Sequence, residues 1–382
     1  MSPGASTRTW RPRMLSDVVS LQRGHDLTWR QRRPGSVPVM GSAGVNGTHD
    51  RALAPGPGVV LGRSGASFGT AHYVDRDYWP HNTALYVTDF HGNDPRYVFY
   101  LLSSIDFSRH NSGGAQQSLN RNFIASIELD VPEYDEQCRI AAALDDASDR
   151  IAAIEVSIAK KQAVKQGMMQ QLLTGRTRLP GFAGDWRESS VGELAAVDPE
   201  VLPAGTPPAV RINYISLEDV SRGELLGSTE LAFGDSPSRA RRVVKTRDVL
   251  FGTVRPNLQS HLLYAGGLRN PVASTGFAVV RASVDADPGF LFELLMSDMT
   301  ATQIERIIAG SNYPAVSSGD VRKLVFMVPK ADEQRAISAV LSDAEREIGR
   351  LRSRLAKARA IKTGMMQQLL TGRVRLPVEA AS

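Results

Sequence analysis

The densest cluster of reactive side chains in the sequence is the run HYVDRDYWPH at 72–81, which gathers His72, Asp75, Asp77 and His81. Imidazole and carboxylate together are the donors of a hydrolytic metal site, where the ion activates a water. The run crosses a turn, and nothing like it recurs later in the chain. A metal-dependent hydrolase using His72, Asp75 and His81 is therefore only an alternative reading. Other catalytic signatures are missing. No G-x-x-x-x-G-K-[ST] phosphate loop occurs. The one Pro-Pro pair, in TPPAV at 206–210, lacks the flanking residues of an adenine methyltransferase pocket, and none of the eight Lys completes an E-x-K nuclease ending. The expectation is a chain with no catalytic residues and no metal of its own.

A second set of polar residues suggests different chemistry. Arg63, Ser64 and Ser67 follow the strand-like run GVVLG, and Arg255, Asn257 and Gln259 follow the comparable run DVLFG. Gln116, Gln117, Asn120 and Arg121 occupy one Gly-led loop, and Ser311, Asn312, Tyr313 and Ser317 occupy another. Arg, Asn and Gln reach base edges bidentately, while Ser and Tyr often take phosphate oxygens. These sets are candidate DNA-facing tips. Of the 45 basic residues 37 are Arg and the net charge is +5, which is compatible with a polyanionic partner.

The elements that must position these tips come in duplicate. GMMQQLLTGR stands at 167–176 and again at 364–373, and 28 of the 50 positions in Val131–Pro180 match Val328–Pro377. Both copies open with V-P and D-E-Q (Asp135-Glu136-Gln137, Asp332-Glu333-Gln334) and close with R-L-P. Between these ends, apolar residues recur at steps of three and four (Ile140, Leu144, Ala147, Ile151, Ile154, Ile158 in the first copy). That period predicts two coiled-coil helices of about 40 residues, each roughly 60 Å long. Their stripes most simply bury each other in an antiparallel pair. Gly175 and Gly372 stand where C-terminal caps belong. Gly167 and Gly364, mid-helix, suggest the close approach of another backbone. The exactness of the repeat suggests a docking site used twice, formed by Met168, Met169, Gln171, Leu172, Leu173 and Arg176 and by Met365, Met366, Gln368, Leu369, Leu370 and Arg373.

Upstream of each helix the same order of elements recurs: a Trp-Arg pair (Trp10-Arg11, Trp186-Arg187), a short helix, strands, a short helix and a polar loop. The single cysteine, Cys138, excludes a disulfide within the chain. No apolar run approaches the ~20 residues of a membrane helix. The opening residues carry no secretory stretch, so a cytoplasmic protein away from membranes is expected.

This arrangement resembles the specificity subunit of type I restriction–modification systems. The resemblance rests on the paired V-P-x-x-D-E-Q helices, the two LLTGR endings and the strand-loop G-R-S-G-x-x-x-G (62–69), and it runs from Trp10 to Pro377. It implies an α+β fold with two target-recognition domains separated by two long antiparallel helices in a pseudo-twofold repeat. The expected division is recognition domain 1–134, helix 135–180, recognition domain 181–331, helix 332–377 and a tail at 378–382. The resemblance further implies that each domain reads half of a split target in double-stranded DNA. Readers one DNA turn apart would be separated by roughly 34–36 Å. The helices would bind two methyltransferase subunits, to which motor-nuclease subunits attach. S-adenosylmethionine, ATP and Mg2+ would belong to those partners. A stand-alone bivalent DNA-binding regulator is the other alternative.

Overall fold

The computed structural model describes residues 10–110, 117–308 and 314–377. Its contacts divide the chain into two compact units, and neither is continuous in sequence. One comprises residues 1–155 with 353–382, the other residues 156–352. Each long helix is a single element of 39 residues, Tyr134–Leu172 and Ala331–Leu369, that contributes to both units. The compact units therefore cut through the helices, whereas the expected division ran between domain and helix.

In the first unit, Arg11–Met14 pairs antiparallel with Glu128–Val131. A four-stranded antiparallel sheet follows in the order Ser20–Arg23, Ala84–Asp89, Gly58–Gly62, Ala71–Val74. Its central strand GVVLG is buried along its whole length, as a near-continuous apolar run requires. The helix Pro95–Ser104 packs on the last two strands of this order. A second sheet has three strands, Gly44–His49, Val37–Gly41 and Trp79–Pro80.

The second unit repeats this plan. Arg187–Ser190 pairs with Val325–Val328, and the four-stranded sheet runs Ala195–Val197, Phe277–Ala282, Val249–Gly252, His261–Leu263. The helix Pro288–Leu295 takes the place of Pro95–Ser104. Here the second sheet has four strands, Thr229–Ala232, Arg211–Ile215, Pro271–Ser274 and Ala240–Val243. A hairpin of Val220–Ser221 with Glu224–Leu225 is added.

The duplicated motifs have the same structural task in both units. Gln137 accepts the Asp94 N–H at 2.9 Å, and Asp94 caps the helix at 95 by accepting the Tyr97 N–H at 2.7 Å. Gln334 accepts the Asp287 N–H at 2.9 Å, and Asp287 accepts the Phe290 N–H at 2.9 Å. Each Gln thus ties a long helix to the N-cap of the domain helix. Glu136 takes two hydrogen bonds from Arg375, at 2.9 and 2.6 Å, and Glu333 takes two from Arg178, at 2.6 and 2.7 Å. The glutamates are only 4% and 3% exposed, and a bidentate guanidinium is the partner a buried carboxylate needs.

The helix ends follow suit. Gly175 and Gly372 adopt left-handed φ values of 69° and 67°, as helix-terminating glycines do. Gly175 rests on Trp186 and Gly372 on Trp10. In the first unit, then, the segment ending in R-L-P closes onto the first described residue of the chain, with Leu369, Leu370 and Trp10 in one core.

Antiparallel pairing is visible inside each unit. Glu155 meets Arg359 at 2.6 Å in one; Lys161 meets Glu347 at 2.9 Å and Lys165 meets Glu345 at 3.0 Å in the other. The seam is buried at Ile140, Leu144, Ile154, Ile337, Leu341 and Ile348, whereas Ile151, Ile158, Leu351 and Leu355 are only half-buried. No helix among the described residues is long and apolar enough to cross a membrane.

Candidate nucleic-acid interface

The local fold brings the two first-unit loops together. Ser64 bridges Ser118, and the Leu119 N–H donates to the Arg63 carbonyl at 2.8 Å. The second unit uses the same joint: Val254 bridges Ala315, and the Arg255 N–H donates to the Pro314 carbonyl at 2.8 Å. In both, backbone contacts join the segment after the strand to the second loop.

In the first unit this surface is a polar cleft of about 660 Å3. Gln22, Arg23, His25, Arg63, Asn120 and Arg121 line it, with Asp26 the one acid among the lining residues. The Arg63 Nε is buried without a hydrogen-bond partner. Desolvation, and then the nearby Arg23 charge, lower the Arg63 pKa below the usual guanidinium value. An anion or a base-edge acceptor placed here would relieve both penalties. Arg121 is exposed, and its guanidinium donates to the Leu21 carbonyl at 3.3 Å. Asn120 caps the short helix Arg121–Ile124, its Oδ1 accepting the Asn122 N–H at 3.0 Å. Gln117 is exposed, Ser67 lies half-buried in the turn after Arg63, and Gln116 lies outside the described residues.

In the second unit, Arg255 and Asn257 are exposed on the short turn Pro256–Leu258. Arg255 and Gln259 flank it with φ values of 48° and 55°, left-handed conformations that are strained for these residues and often accompany function. The Gln259 carbonyl accepts the Arg222 N–H at 2.9 Å, which brings the added hairpin beside the tip. Beneath it, His261 stacks on Phe251 at 4.1 Å and accepts the Gly252 N–H at 3.0 Å. Burial pushes the His261 pKa down to about 4, so the ring is a neutral structural support. Ser317 is occupied as a helix cap, donating to Asp320 at 2.7 Å and accepting its N–H at 3.1 Å. Ser311, Asn312 and Tyr313 lie outside the described residues.

Sequence reasoning missed Arg23 and His25, at and just past the end of a strand too short to stand out, and Arg222, on a hairpin with no counterpart among the described residues of the first unit. Nothing in the local pattern marked them. The His-Asp run resolves into separate structural roles. His72 meets the Ser42 carbonyl at 2.9 Å, His81 meets the Thr83 hydroxyl at 3.1 Å, Asp75 pairs with Arg76, and Asp77 accepts the Gly56 N–H. Among the described residues no three His, Cys, Asp or Glu side chains gather as a metal site.

The decapeptides require a larger correction. Met169, Leu172 and Leu173 are buried in the core of one unit, and Leu369 and Leu370 in that of the other. Met168, Met365 and Met366 pack partly buried against the same cores. Gln171, Arg176, Gln368 and Arg373 remain exposed. The apolar half of the repeat therefore holds each recognition domain, because Trp10 and Trp186 offer it the same seat. Among the described residues nothing outside the helix itself packs within 4 Å of where a side chain at Gly167 or Gly364 would begin, so no neighbouring backbone there accounts for these glycines.

A family model described as the type I restriction modification DNA specificity domain matches residues 7–166. The MjaVIII type I restriction enzyme specificity subunit of Methanocaldococcus jannaschii is 20% identical over 309 residues, covering 74% of this chain and 71% of its own. The crystal structure of the type I restriction–modification S subunit from M. genitalium superposes with a TM-score of 0.65 at 14% identity, over 96% of this chain and 97% of that one. Residues 7–166 are a type I restriction–modification DNA specificity domain, and the chain as a whole has the fold of the S subunit. A further structure, from work on complex assembly and conformational transition of the type I system, matches with a TM-score of 0.57 at 15% identity over 97% of this chain and 100% of that one. Specificity subunits of type I systems act together with DNA and other subunits.

Proposed function

We propose that this specificity subunit reads an asymmetric, bipartite DNA target, one half with each recognition domain, and scaffolds two methyltransferase subunits. The observation that carries the reading is the repeated joint: the same strand tip meets the same polar loop in both units, with different side chains displayed. Arg63, Gln117, Asn120 and Arg121 face one half-target; Arg255, Asn257 and Gln259 face the other. Shared framework with divergent tips is what two readers of unlike sequences require.

The docking surface for methyltransferase is the exposed face of each decapeptide, with Gly167, Gln170, Gln171 and Arg176 in one copy and Gly364, Gln367, Gln368 and Arg373 in the other. A glycine bare of neighbours in both copies lets a partner backbone approach closely. The helix pair adds a groove of about 450 Å3 in the first unit, with Ala147, Ile154, Ala358, Ile361 and Met365 as its apolar lining and Asp146, Arg150, Arg354 and Lys357 as its charged lining. Partner helices filling such a groove would complete a seam that two helices alone leave half-open. The chain itself performs no chemistry in this reading. Motor-nuclease subunits join through the complex, and S-adenosylmethionine, ATP and Mg2+ reside on the partners.

Native mass spectrometry after co-expression with the neighbouring methyltransferase tests the scaffold. Two methyltransferases per chain are expected, with fewer after Gln171→Glu with Gln368→Glu, exposed changes that spare the core. A chain that stays alone yet binds one DNA sequence tightly would replace this reading with that of a stand-alone regulator.

A further inference from the structure

The segment TWRQRR at 28–33 exposes 76% of Trp29, the indole ring being the largest apolar surface a side chain can offer. Its support is rigid. The turn Trp29–Gln31 is closed by Gln31, which accepts from the Thr28 N–H at 3.0 Å and the Thr28 hydroxyl at 2.9 Å. The Arg32 guanidinium donates to the Asn46 carbonyl. Arg33 is held twice, its N–H donating to His49 Nδ1 at 3.1 Å and its guanidinium pairing with Asp50 at 3.1 Å. Buried Leu27 anchors the other side. The ring is therefore presented outward on a fixed turn.

Charge indicates what covers it. The Arg30 guanidinium lies 5.4 Å from the Trp29 ring centre, and Arg23, His25 and Asp26 of the DNA-facing cleft precede it directly in the chain. An apolar protein surface would have to desolvate Arg30, whereas a nucleic acid supplies both an apolar face and phosphates. We infer that Trp29 is a DNA contact outside the base-reading cleft, its ring packing on the sugar-base surface of the duplex while Arg30 meets the adjoining phosphate. This rests on the proposed reading of the cleft and adds a residue that fixes the domain on the duplex.

The test uses the complete complex with methyltransferase and a duplex containing its methylated target. Trp29→Ala is expected to weaken binding roughly tenfold with little change in salt dependence, since an apolar contact contributes without counterion release. Arg30→Gln is expected to lower the salt slope by about one ion. Quenching of tryptophan fluorescence by DNA should be smaller in Trp29→Phe, which keeps a ring and checks that the turn has folded. Equal affinity and equal quenching in wild type and variants, with wild type binding its target, would overturn the contact alone. Lost methyltransferase assembly in Trp29→Ala, with DNA affinity unchanged in the complexes that form, would reassign the ring to a protein partner. If wild-type complex showed no target preference, the reading of the cleft itself would fail.

Discussion

At equivalent positions the two units answer the same half-buried helix lysine in different ways. In the first, the Lys362 ammonium sits 5.3 Å from the centre of the Tyr100 ring, whose hydroxyl donates to Asp145 at 2.6 Å. In the second, Lys165 lies between Glu293 at 3.3 Å and Glu345 at 3.0 Å. Tyr100 and Glu293 occupy the same place on the two domain helices. An aromatic face and a buried carboxylate both satisfy an ammonium, so this contact was free to diverge. The D-E-Q and R-L-P contacts were not: each Gln caps a domain helix and each Glu meets one guanidinium. Duplication is retained at the buried Glu–Arg pairs and the Gln-capped helix starts, and lost at the lysine, which two different surroundings satisfy.

The comparison predicts equal damage where the frame is shared. Leu144→Ala and Leu341→Ala sit at matching, fully buried positions, and each should cost about 2–5 kcal/mol. Urea unfolding of the two variants should show losses of similar size; a large loss in only one would break the equivalence of the units. At the tips the effects should separate. Arg63→Ala is expected to relax discrimination in one half-target by about 1–3 kcal/mol and Arg255→Ala in the other. Competition binding with substituted duplexes measures this.

Smaller effects sharpen the contrast. Gly372→Ala and Gly175→Ala force a side chain into the left-handed region against Trp10 and Trp186, which should lower stability by about 1–2 kcal/mol in thermal unfolding. Gly167→Ala and Gly364→Ala should instead stabilise the isolated chain by about 1 kcal/mol while weakening methyltransferase binding.

The smallest effect is a pH dependence at the Lys165 contact of the second unit. Burial raises the Glu293 pKa above its ordinary 4.5, outweighing the opposing pull of Lys165, and Glu345 adds to the rise. The folded state then holds this proton more tightly than the unfolded one. The cost of ionising Glu293 is absent below 4.5 and appears as pH rises through the raised value. His261 has the opposite sign, losing stability as pH falls from 6.5 toward about 4. The informative quantity is therefore wild type minus Glu293→Gln, which should become less favourable to wild type as pH rises. Tyr100, pushed up to about 12 by burial, contributes nothing in that range. A flat difference would show that the carboxyl is not buried.

Much of the frame was legible because helical periodicity and the repeat reinforced each other. Trp10 and Trp186, the buried runs at 58–62 and 249–252, and the capping glycines all stand where the pattern placed them. The second sheet of each unit was not legible, since Val37–Gly41 and Arg211–Ile215 are short and find their partners only across distant turns. The decapeptide was misleading for a physical reason. Packing fixed Met169, Leu172 and Leu173 against a repeated core, and sequence identity cannot distinguish a repeated seat from a repeated partner. Arg63 with Asn120 and Arg121 was legible as chemistry, whereas Arg23 joined them only through the sheet.

The central claim is that each unit reads its own half-target. The most direct measurement is the methylated motif in cells carrying the chain with residues 10–131 replaced by the recognition domain of another specificity subunit. The account predicts that one half of the motif changes while the other half is retained. A change in both halves, or in neither with methylation intact, would contradict it.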